Sequence, residues 1–157
     1  HPRNLALIHF LYSTGCRVSE VSSVNIEDIN FNEKNLIVLG KGNKERIVYL
    51  TDDAIQAIQE YLRTREDDEK ALFLSSRTNN RLSASSIRWI LTNISEKTGV
   101  ENIHPHRFRR TLATDLLNKG MAIQDVSKIL GHSNISTTQT YYYHTDLKVE
   151  KEFRKFI

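Results

Sequence analysis

Residues 35–50 read NLIVLGKGNKERIVYL and contain the clearest β-structure signal of the chain. Runs rich in Val, Ile and Leu at 35–39 and 46–50 flank the polar turn Gly40-Lys41-Gly42-Asn43-Lys44. Two apolar runs on either side of a glycine-containing turn predict a β-hairpin. A further apolar run at 71–75 predicts a third strand, and we therefore expect one small antiparallel sheet.

Helical signals dominate the rest of the chain. An apolar run at 3–13 stops at Gly15, which suits the left-handed cap of a helix. Thr51 and Ser83 are good N-cap residues, and the segments after them repeat apolar residues at helical spacing. The helices predicted from such signals lie at 3–13, from about 19, from 52, and at 83–97, 105–118, 122–130, 134–142 and 146–156. The predicted fold class is mainly α with a small three-stranded antiparallel β-sheet (α+β).

The composition is that of a globular domain. Of the 157 residues, 39% are hydrophobic and 26% are charged, and no repeat or linker divides them, so we expect one domain over 1–157. The longest apolar stretch, 5–12, is too short to cross a membrane. Cys16 is the single cysteine, which excludes an internal disulfide and is typical of a reducing cytosol. Because the chain begins at His1 with neither Met nor a signal-peptide pattern, we expect it to be a piece of a longer protein.

Charge is unevenly distributed along the chain, whose net charge is +3. Residues 66–69 are four consecutive acids, whereas 41–46 and 104–110 concentrate Lys, Arg and His. This separation predicts a basic face that suits a polyanion such as DNA. The alternative is that these runs are ordinary solvated surface.

Two pairs of residues have a spacing that suits anion binding. Pro105 favours a helix start, and His106 and Arg109, three residues apart, share one face of that helix. Arg109 falls at the edge of the apolar stripe, where a guanidinium needs an anionic partner, either a carboxylate inside the protein or a phosphate from outside. Glu20 follows Arg17 by three residues and is placed to hold its side chain, although many such pairs are purely structural.

Lys41, His132 and a run of tyrosines complete the candidate residues. Lys41 sits between two glycines in the hairpin turn, where it either reaches a ligand or is solvated. Tyr141 follows His132 by nine residues, a spacing that does not by itself bring the two side chains together. The two tyrosines after Tyr141 are interpreted as packing residues. The histidines lack the spacing of a metal site, and the chain has neither a P-loop nor a GxGxxG motif.

Four segments, taken in this order, resemble the motifs of the tyrosine recombinase (phage integrase) family. They are TGCRVSE at 14–20, GKGNKER at 40–46, HRFR at 106–109 and LGHS at 130–133. The likeness extends over essentially the whole chain, and the four motifs together are highly specific. One departure is Arg110, where many family members have a histidine in a supporting position.

The resemblance implies roles for individual residues. The catalytic residues that it assigns are Arg17, Lys41, His106, Arg109, His132 and Tyr141, with Glu20 as the support of Arg17. Basic candidates for contacts with DNA are Lys44, Arg46, Arg88, Arg107 and Arg110. No metal and no other cofactor is implied, because the Arg and Lys charges take their place.

The resemblance also implies an activity. The family cuts and rejoins double-stranded DNA at a specific site through a 3′-phosphotyrosine intermediate, without metal or ATP. We therefore expect a site-specific recombinase or integrase of a bacterium, phage or mobile element, located with the nucleoid in the cytoplasm. The chain would be the C-terminal catalytic domain, with the N-terminal DNA-clamping domain absent. Segment 145–157 is expected either to dock on a neighbouring protomer of a homo-tetramer or to pack on its own core.

Other functions remain as alternatives. Residues 123–143 suit a helix-turn-helix, as in a non-catalytic DNA-binding regulator, but that interpretation leaves Arg17, Lys41, His106 and Arg109 unexplained. A type IB topoisomerase would use the same chemistry without strand exchange, although the short distance in sequence from LGH to the tyrosine favours a recombinase. A recombinase fragment that cuts only with its missing domain is a third possibility.

Overall fold

The computed structural model describes residues 1–101, 103–132, 135–142 and 154, and in 135–142 it describes the side chains of 136–139 only. Its seven described helices are α1 (Pro2–Thr14), α2 (Val18–Ser23), α3 (Asp52–Arg63), α4 (Ala84–Thr98), α5 (Pro105–Asn118), α6 (Ile123–Leu130) and α7 (Ile135–Tyr142). Its three described strands are β1 (Ile29–Asn30), β2 (Asn35–Leu39) and β3 (Glu45–Tyr49). The mainly helical fold class with one small sheet is confirmed. The helix predicted at 146–156 lies outside the described residues, apart from position 154.

The hairpin predicted at 35–50 is the centre of the sheet. Strands β2 and β3 pair antiparallel with Ile37 opposite Ile47, and β1 adds to the other edge of β2 with Ile29 opposite Leu36. The strand order is therefore β1-β2-β3. Alternate residues of the hairpin, such as Leu36 and Val48, are buried against the helices, as the period of two in a strand requires.

The prediction of a third strand at 71–75 was wrong. These residues form only isolated bridges, at Ala71 and Leu74, and the third strand is β1. Leu72 and Phe73 are both buried, so the segment lacks the alternation of a half-exposed strand. The Leu72 N–H donates to Val24, whereas the Phe73 carbonyl accepts from Leu82, so the hydrogen bonds are divided between two segments. The run is apolar because it passes through the core in an extended conformation, outside the sheet.

Two apolar clusters hold the fold together. The larger lies between α1, α3, α4 and the sheet and includes Phe10, Ile58 and Leu91, all fully buried. The smaller lies between α5 and α6 around Leu117 and Leu130. Helix α1 packs against both α3 and α5 and so joins the two clusters. Within the described ranges, no helix has both the length and the apolar character needed to cross a bilayer.

Candidate active site

An open groove of about 1050 Å³ lies between the hairpin and helices α5 and α6. Five of the residues predicted to be catalytic line it: Arg17, Lys41, His106, Arg109 and His132. They come from segments far apart in the sequence, and the fold brings them to one surface. Thr137 of α7 lines the same groove, and position 141 is one helical turn further along that helix. The side chain of Tyr141 lies outside the described residues.

Arg17 is positioned by a turn between two helices. Gly15 ends α1 with φ +63°, and a Cβ at this position would lie 2.8 Å from a methyl group of Leu130, so only glycine fits the turn. Arg17 then caps α2, and its backbone N–H donates to Glu20 Oε1 at 2.7 Å. Its side chain is 34% exposed, and Nη1 is 3.9 Å from Glu20 Oε2. Nη1 is itself buried and has no hydrogen-bond partner in the part of the chain that the structure describes.

Arg109 is buried beside Arg17. Its Nη1 donates to the carbonyl of Gly15, and its Nη2 donates to the carbonyl of Leu130 at 2.9 Å. These partners are backbone carbonyls, so the anionic partner expected from the sequence is not one of them. Burial, followed by the charges of Arg17 and Arg46, lowers the pKa of Arg109 to about 10. The guanidinium therefore stays cationic at neutral pH, and an anion in the groove would be stabilised by both arginines.

His132 is held between Arg109 and α7. Its Nε2 is 3.3 Å from Arg109 Nη2, and its Nδ1 is 2.5 Å from the hydroxyl of the buried Thr138. A guanidinium can only donate, so Nε2 accepts, and Nδ1 carries the proton that is donated to Thr138. Burial and the nearby arginines lower the pKa of His132 to about 4, and the imidazole is therefore neutral at physiological pH.

Arg46, a predicted DNA contact, has its guanidinium buried. Its Nη1 and Nη2 both donate to the carboxylate of Glu20, and Nε donates to the carbonyl of Ile129 at 2.9 Å. Burial alone would raise the pKa of Glu20, but the hydrogen bonds from Arg46 and from the Arg17 backbone lower it overall, so the pair is ionised. Glu20, predicted to support Arg17, thus binds the backbone of Arg17 and the side chain of Arg46.

The other predicted residues differ in their distance from the groove. Lys41 and Lys44 are exposed in the hairpin turn and line the groove, and His106 is exposed in the first turn of α5. Arg107 and Arg110 instead line a separate cavity together with Glu101 and His104, and Arg107 donates to the carbonyl of Glu101. Arg88 is exposed on α4.

Two groove features were not predicted from the sequence. Lys128 lines the groove, and Thr138 binds His132. The acidic block at 66–69 does not line it. In the ranges that the structure describes, no three His, Cys, Asp or Glu side chains cluster as they would around a metal ion.

The chain belongs to the phage integrase family, because the sequence pattern of that family matches residues 1–148. The resemblance seen in the sequence is thereby confirmed. The tyrosine recombinase XerC of Corynebacterium glutamicum is 38% identical over 156 residues, which are 98% of this chain and 50% of that protein. The chain thus spans about half the length of the curated relatives that it matches.

Solved structures agree with this assignment. The crystal structure of XerA recombinase superposes with a TM-score of 0.84 and 31% identity, covering 99% of this chain and 58% of that one. XerH site-specific recombinase bound to its difH substrate, in a pre-cleavage complex, gives a TM-score of 0.74 and 26% identity, covering 89% and 42% respectively. The chain is therefore similar to one part of each of these longer recombinases.

Proposed function

We propose that the chain is the catalytic domain of a site-specific DNA recombinase that cuts and rejoins DNA through Tyr141. The observation that carries this proposal is the buried Nη1 of Arg17, a cationic donor without a described hydrogen-bond partner, beside Arg109 in a groove lined by Lys41, His106 and His132. Buried donors are normally satisfied, so this one is suited to an acceptor that comes from outside. A phosphodiester supplies such an acceptor, and the similar XerH recombinase is described as bound to a DNA substrate.

Arg17 and Arg109 bind the scissile phosphate in this mechanism. Attack at phosphorus builds negative charge on the phosphoryl oxygens, and two fixed guanidinium groups stabilise that charge most strongly in the transition state. Arg109 is fixed by the carbonyls of Gly15 and Leu130, so little reorganisation is needed when the phosphate arrives. The phosphate charge also offsets the arginines that depress the pKa of His132. His132 then takes up a proton and donates from Nε2 to a phosphate oxygen.

Tyr141 is the nucleophile, and His106 and Lys41 move the protons. A free tyrosine has a pKa of about 10, so attack at neutral pH needs a base, which is His106, and cationic neighbours. The Tyr141 oxygen forms a bond to phosphorus while the bond from phosphorus to the 5′-oxygen breaks. Lys41 gives a proton to that 5′-oxygen as general acid. The products are a 3′-phosphotyrosine and a free 5′-hydroxyl, and attack by another 5′-hydroxyl reverses the step without ATP, metal or other cofactor.

The substrate and the assembly follow from this reaction. Double-stranded DNA at a specific site is the partner, which places the protein with the nucleoid in the cytoplasm of a bacterial or phage-infected cell. Exchange between two sites needs four active sites, and we propose a homo-tetramer on DNA that is held through segment 145–157. That segment lies outside the described residues, apart from position 154.

Covalent trapping on a nicked suicide DNA tests the proposed function. Wild type, Tyr141→Phe and the matched control Tyr142→Phe would each be incubated with the cognate site, or with a panel of candidate sites, and analysed on denaturing gels. Wild type and Tyr142→Phe should give an SDS-resistant protein–DNA band that Tyr141→Phe lacks.

Two other outcomes would contradict the proposal. A band that persists in Tyr141→Phe would move the nucleophile to Tyr142 if the band disappears in Tyr142→Phe, and to Tyr143 if it persists there too. Salt-sensitive DNA binding without a band, even after the N-terminal half of a relative is fused to the chain, would favour the non-catalytic regulator.

A further inference from the structure

The ion pair between Arg46 and Glu20 is among the most buried polar contacts of the groove. The Arg46 side chain is 9% exposed and the Glu20 side chain is 3% exposed. The pair is bidentate, with Nη1 and Nη2 each donating to one carboxylate oxygen, and the third nitrogen, Nε, donates to the carbonyl of Ile129. All three guanidinium nitrogens are thus held by acceptors of the protein, and the side chain is directed away from the solvent in which a DNA phosphate would lie.

Two glycines pack directly on this ion pair. A Cβ on Gly131 would lie 2.9 Å from Cδ of Arg46, and a Cβ on Gly40 would lie 3.0 Å from Nη1 of Arg46 and 3.2 Å from Oε2 of Glu20. A Cβ at position 131 would therefore force Arg46 to shift, and a Cβ at position 40 would press on both members of the pair. Gly40 directly precedes Lys41, and Gly131 directly precedes His132. The backbone on the N-terminal side of each of these residues is therefore seated against the same guanidinium.

The pair also reaches Arg17. Glu20 Oε1 accepts the backbone N–H of Arg17 at 2.7 Å while it also accepts from Arg46. Because Arg46 makes both close contacts with the carboxylate, the Arg17 side chain stays at 3.9 Å and its Nη1 makes no hydrogen bond among the described residues. Arg46 thus neutralises the acid that would otherwise compete with a phosphate for Arg17.

We propose that Arg46 is a positioning residue whose ion pair with Glu20 fixes Arg17, Lys41 and His132 relative to one another. The three residues come from the start of α2, the hairpin turn and the end of α6, and Arg46 contacts all three segments. The proposal rests on the proposed function of the groove, because it assigns Arg46 to the geometry of the reaction and not to DNA affinity.

Arg46→Lys separates these two roles. Lysine keeps the charge, but its single ammonium cannot form the bidentate pair and also reach the Ile129 carbonyl. We expect the single-turnover cleavage rate at saturating DNA to fall about tenfold or more, the loss typical of a hydrogen bond to a charged group. The Kd for DNA and its dependence on salt should stay within about twofold, since no phosphate contact is removed.

Arg65→Lys is the matched control. The Arg65 side chain is also 9% exposed, pairs with Asp67 at 2.7 Å and donates to the carbonyls of Ala71 and Leu72, but it does not line the groove. Thermal unfolding should show comparable losses of stability in the two variants, whereas the cleavage rate should fall only in Arg46→Lys. Glu20→Gln, which weakens the pair from its other side, provides a second test if Arg46→Lys does not fold.

A measurement without DNA makes the two proposals distinguishable. NMR titration of His132 should give a pKa near 4 in wild type. Arg46→Lys keeps the positive charge, so a rise toward the ordinary value of about 6.5 would report that His132 has lost its buried position. Arg65→Lys should leave the His132 titration unchanged.

Several results would overturn the positioning role. One is weaker DNA binding with a shallower salt dependence and an unchanged rate at saturation in Arg46→Lys, which would make Arg46 a phosphate contact. Equal losses of rate in Arg46→Lys and Arg65→Lys would reduce its role to stability. If no covalent adduct forms even when the N-terminal half of a relative is fused to the chain, the proposed function fails. The His132 titration then tests the positioning role by itself, and an unchanged pKa of His132 in Arg46→Lys would contradict it.

Discussion

The hydroxyl of Thr138 lies 2.5 Å from Nδ1 of His132 and is fully buried. This contact joins the turn after α6 to α7, the helix on which Tyr141 follows Thr138 by three residues. Positions three apart share a helix face. The hydrogen bond therefore favours one tautomer of His132, and it also fixes the position of the helix that carries the proposed nucleophile.

Removal of the Thr138 hydroxyl should slow the reaction. In Thr138→Val the side chain keeps its shape, but Nδ1 of His132 loses its acceptor, so the tautomer with the proton on Nδ1 loses one of the two contacts that favour it. We expect single-turnover cleavage to fall by about tenfold. Thr138→Ser retains the hydroxyl and should recover most of the rate. Equal rates for the Val and Ser variants, at equal thermal stability, would show that the hydroxyl does not position His132.

A side chain at Gly131 should destabilise the protein more than one at Gly99. Both glycines have positive φ, +71° and +74°, but a Cβ at Gly131 would meet Arg46 at 2.9 Å, whereas no atom of the described residues lies within 4 Å of a Cβ at Gly99. Gly→Ala at either position costs about 1–2 kcal/mol of left-handed strain. Gly131→Ala should cost about 1–3 kcal/mol more because of overpacking. Urea unfolding gives the free energy of unfolding of both variants. Equal losses of this free energy would mean that the Arg46 side chain moves aside at no cost.

Acidification below neutral pH should cost stability through His132. Its pKa is lowered to about 4 in the folded protein, chiefly by burial, against about 6.5 when unfolded. Between these values the unfolded state binds more protons, so the free energy of unfolding falls as the pH falls from about 6.5 towards 4. Urea unfolding at pH 7 and pH 5 should therefore show a smaller loss in His132→Asn than in wild type. The same loss in both proteins would place the pKa of His132 near its ordinary value.

Cys16 should be unreactive while the protein is folded. The residue is fully buried, and burial raises the pKa of its thiol to about 11, so almost no thiolate exists at pH 8. Alkylation by iodoacetamide at pH 8 should be at least tenfold slower in buffer than in urea, as for a thiol that is both protonated and covered. Rapid alkylation in buffer would show that the turn at 15–17 opens readily.

The regular elements were largely predictable from local sequence. Thr51 and Ser83 accept from backbone N–H groups at the starts of α3 and α4, and Gly15 and Gly131 end helices with positive φ. Such signals depend on neighbouring residues only, so the sequence predicts these helix boundaries to within about two residues. The prediction of a strand at 71–75 was wrong because an apolar run indicates burial but does not indicate which segment its backbone hydrogen-bonds to.

The partners inside the groove were not predictable from spacing. The sequence predicts either a carboxylate or a phosphate as the partner of the Arg109 guanidinium. Its hydrogen-bonded partners in the structure include the carbonyls of Gly15 and Leu130, which are 94 and 21 residues away in the sequence. Arg46 pairs with Glu20 across 26 residues, which only the packing of the hairpin on α2 decides. A count of basic residues identifies Arg46 as cationic, but it does not reveal whether that charge faces DNA or the interior.

Mapping of the covalent linkage would identify the residue that attacks the DNA phosphate. Wild-type protein trapped on suicide DNA would be digested with nuclease and trypsin, and the peptide 129–148, which contains all three clustered tyrosines, would be sequenced by tandem mass spectrometry. We expect a nucleotide joined through a 3′-phosphate to Tyr141. A nucleotide on Tyr142 or Tyr143, or on a residue outside this peptide, would contradict it.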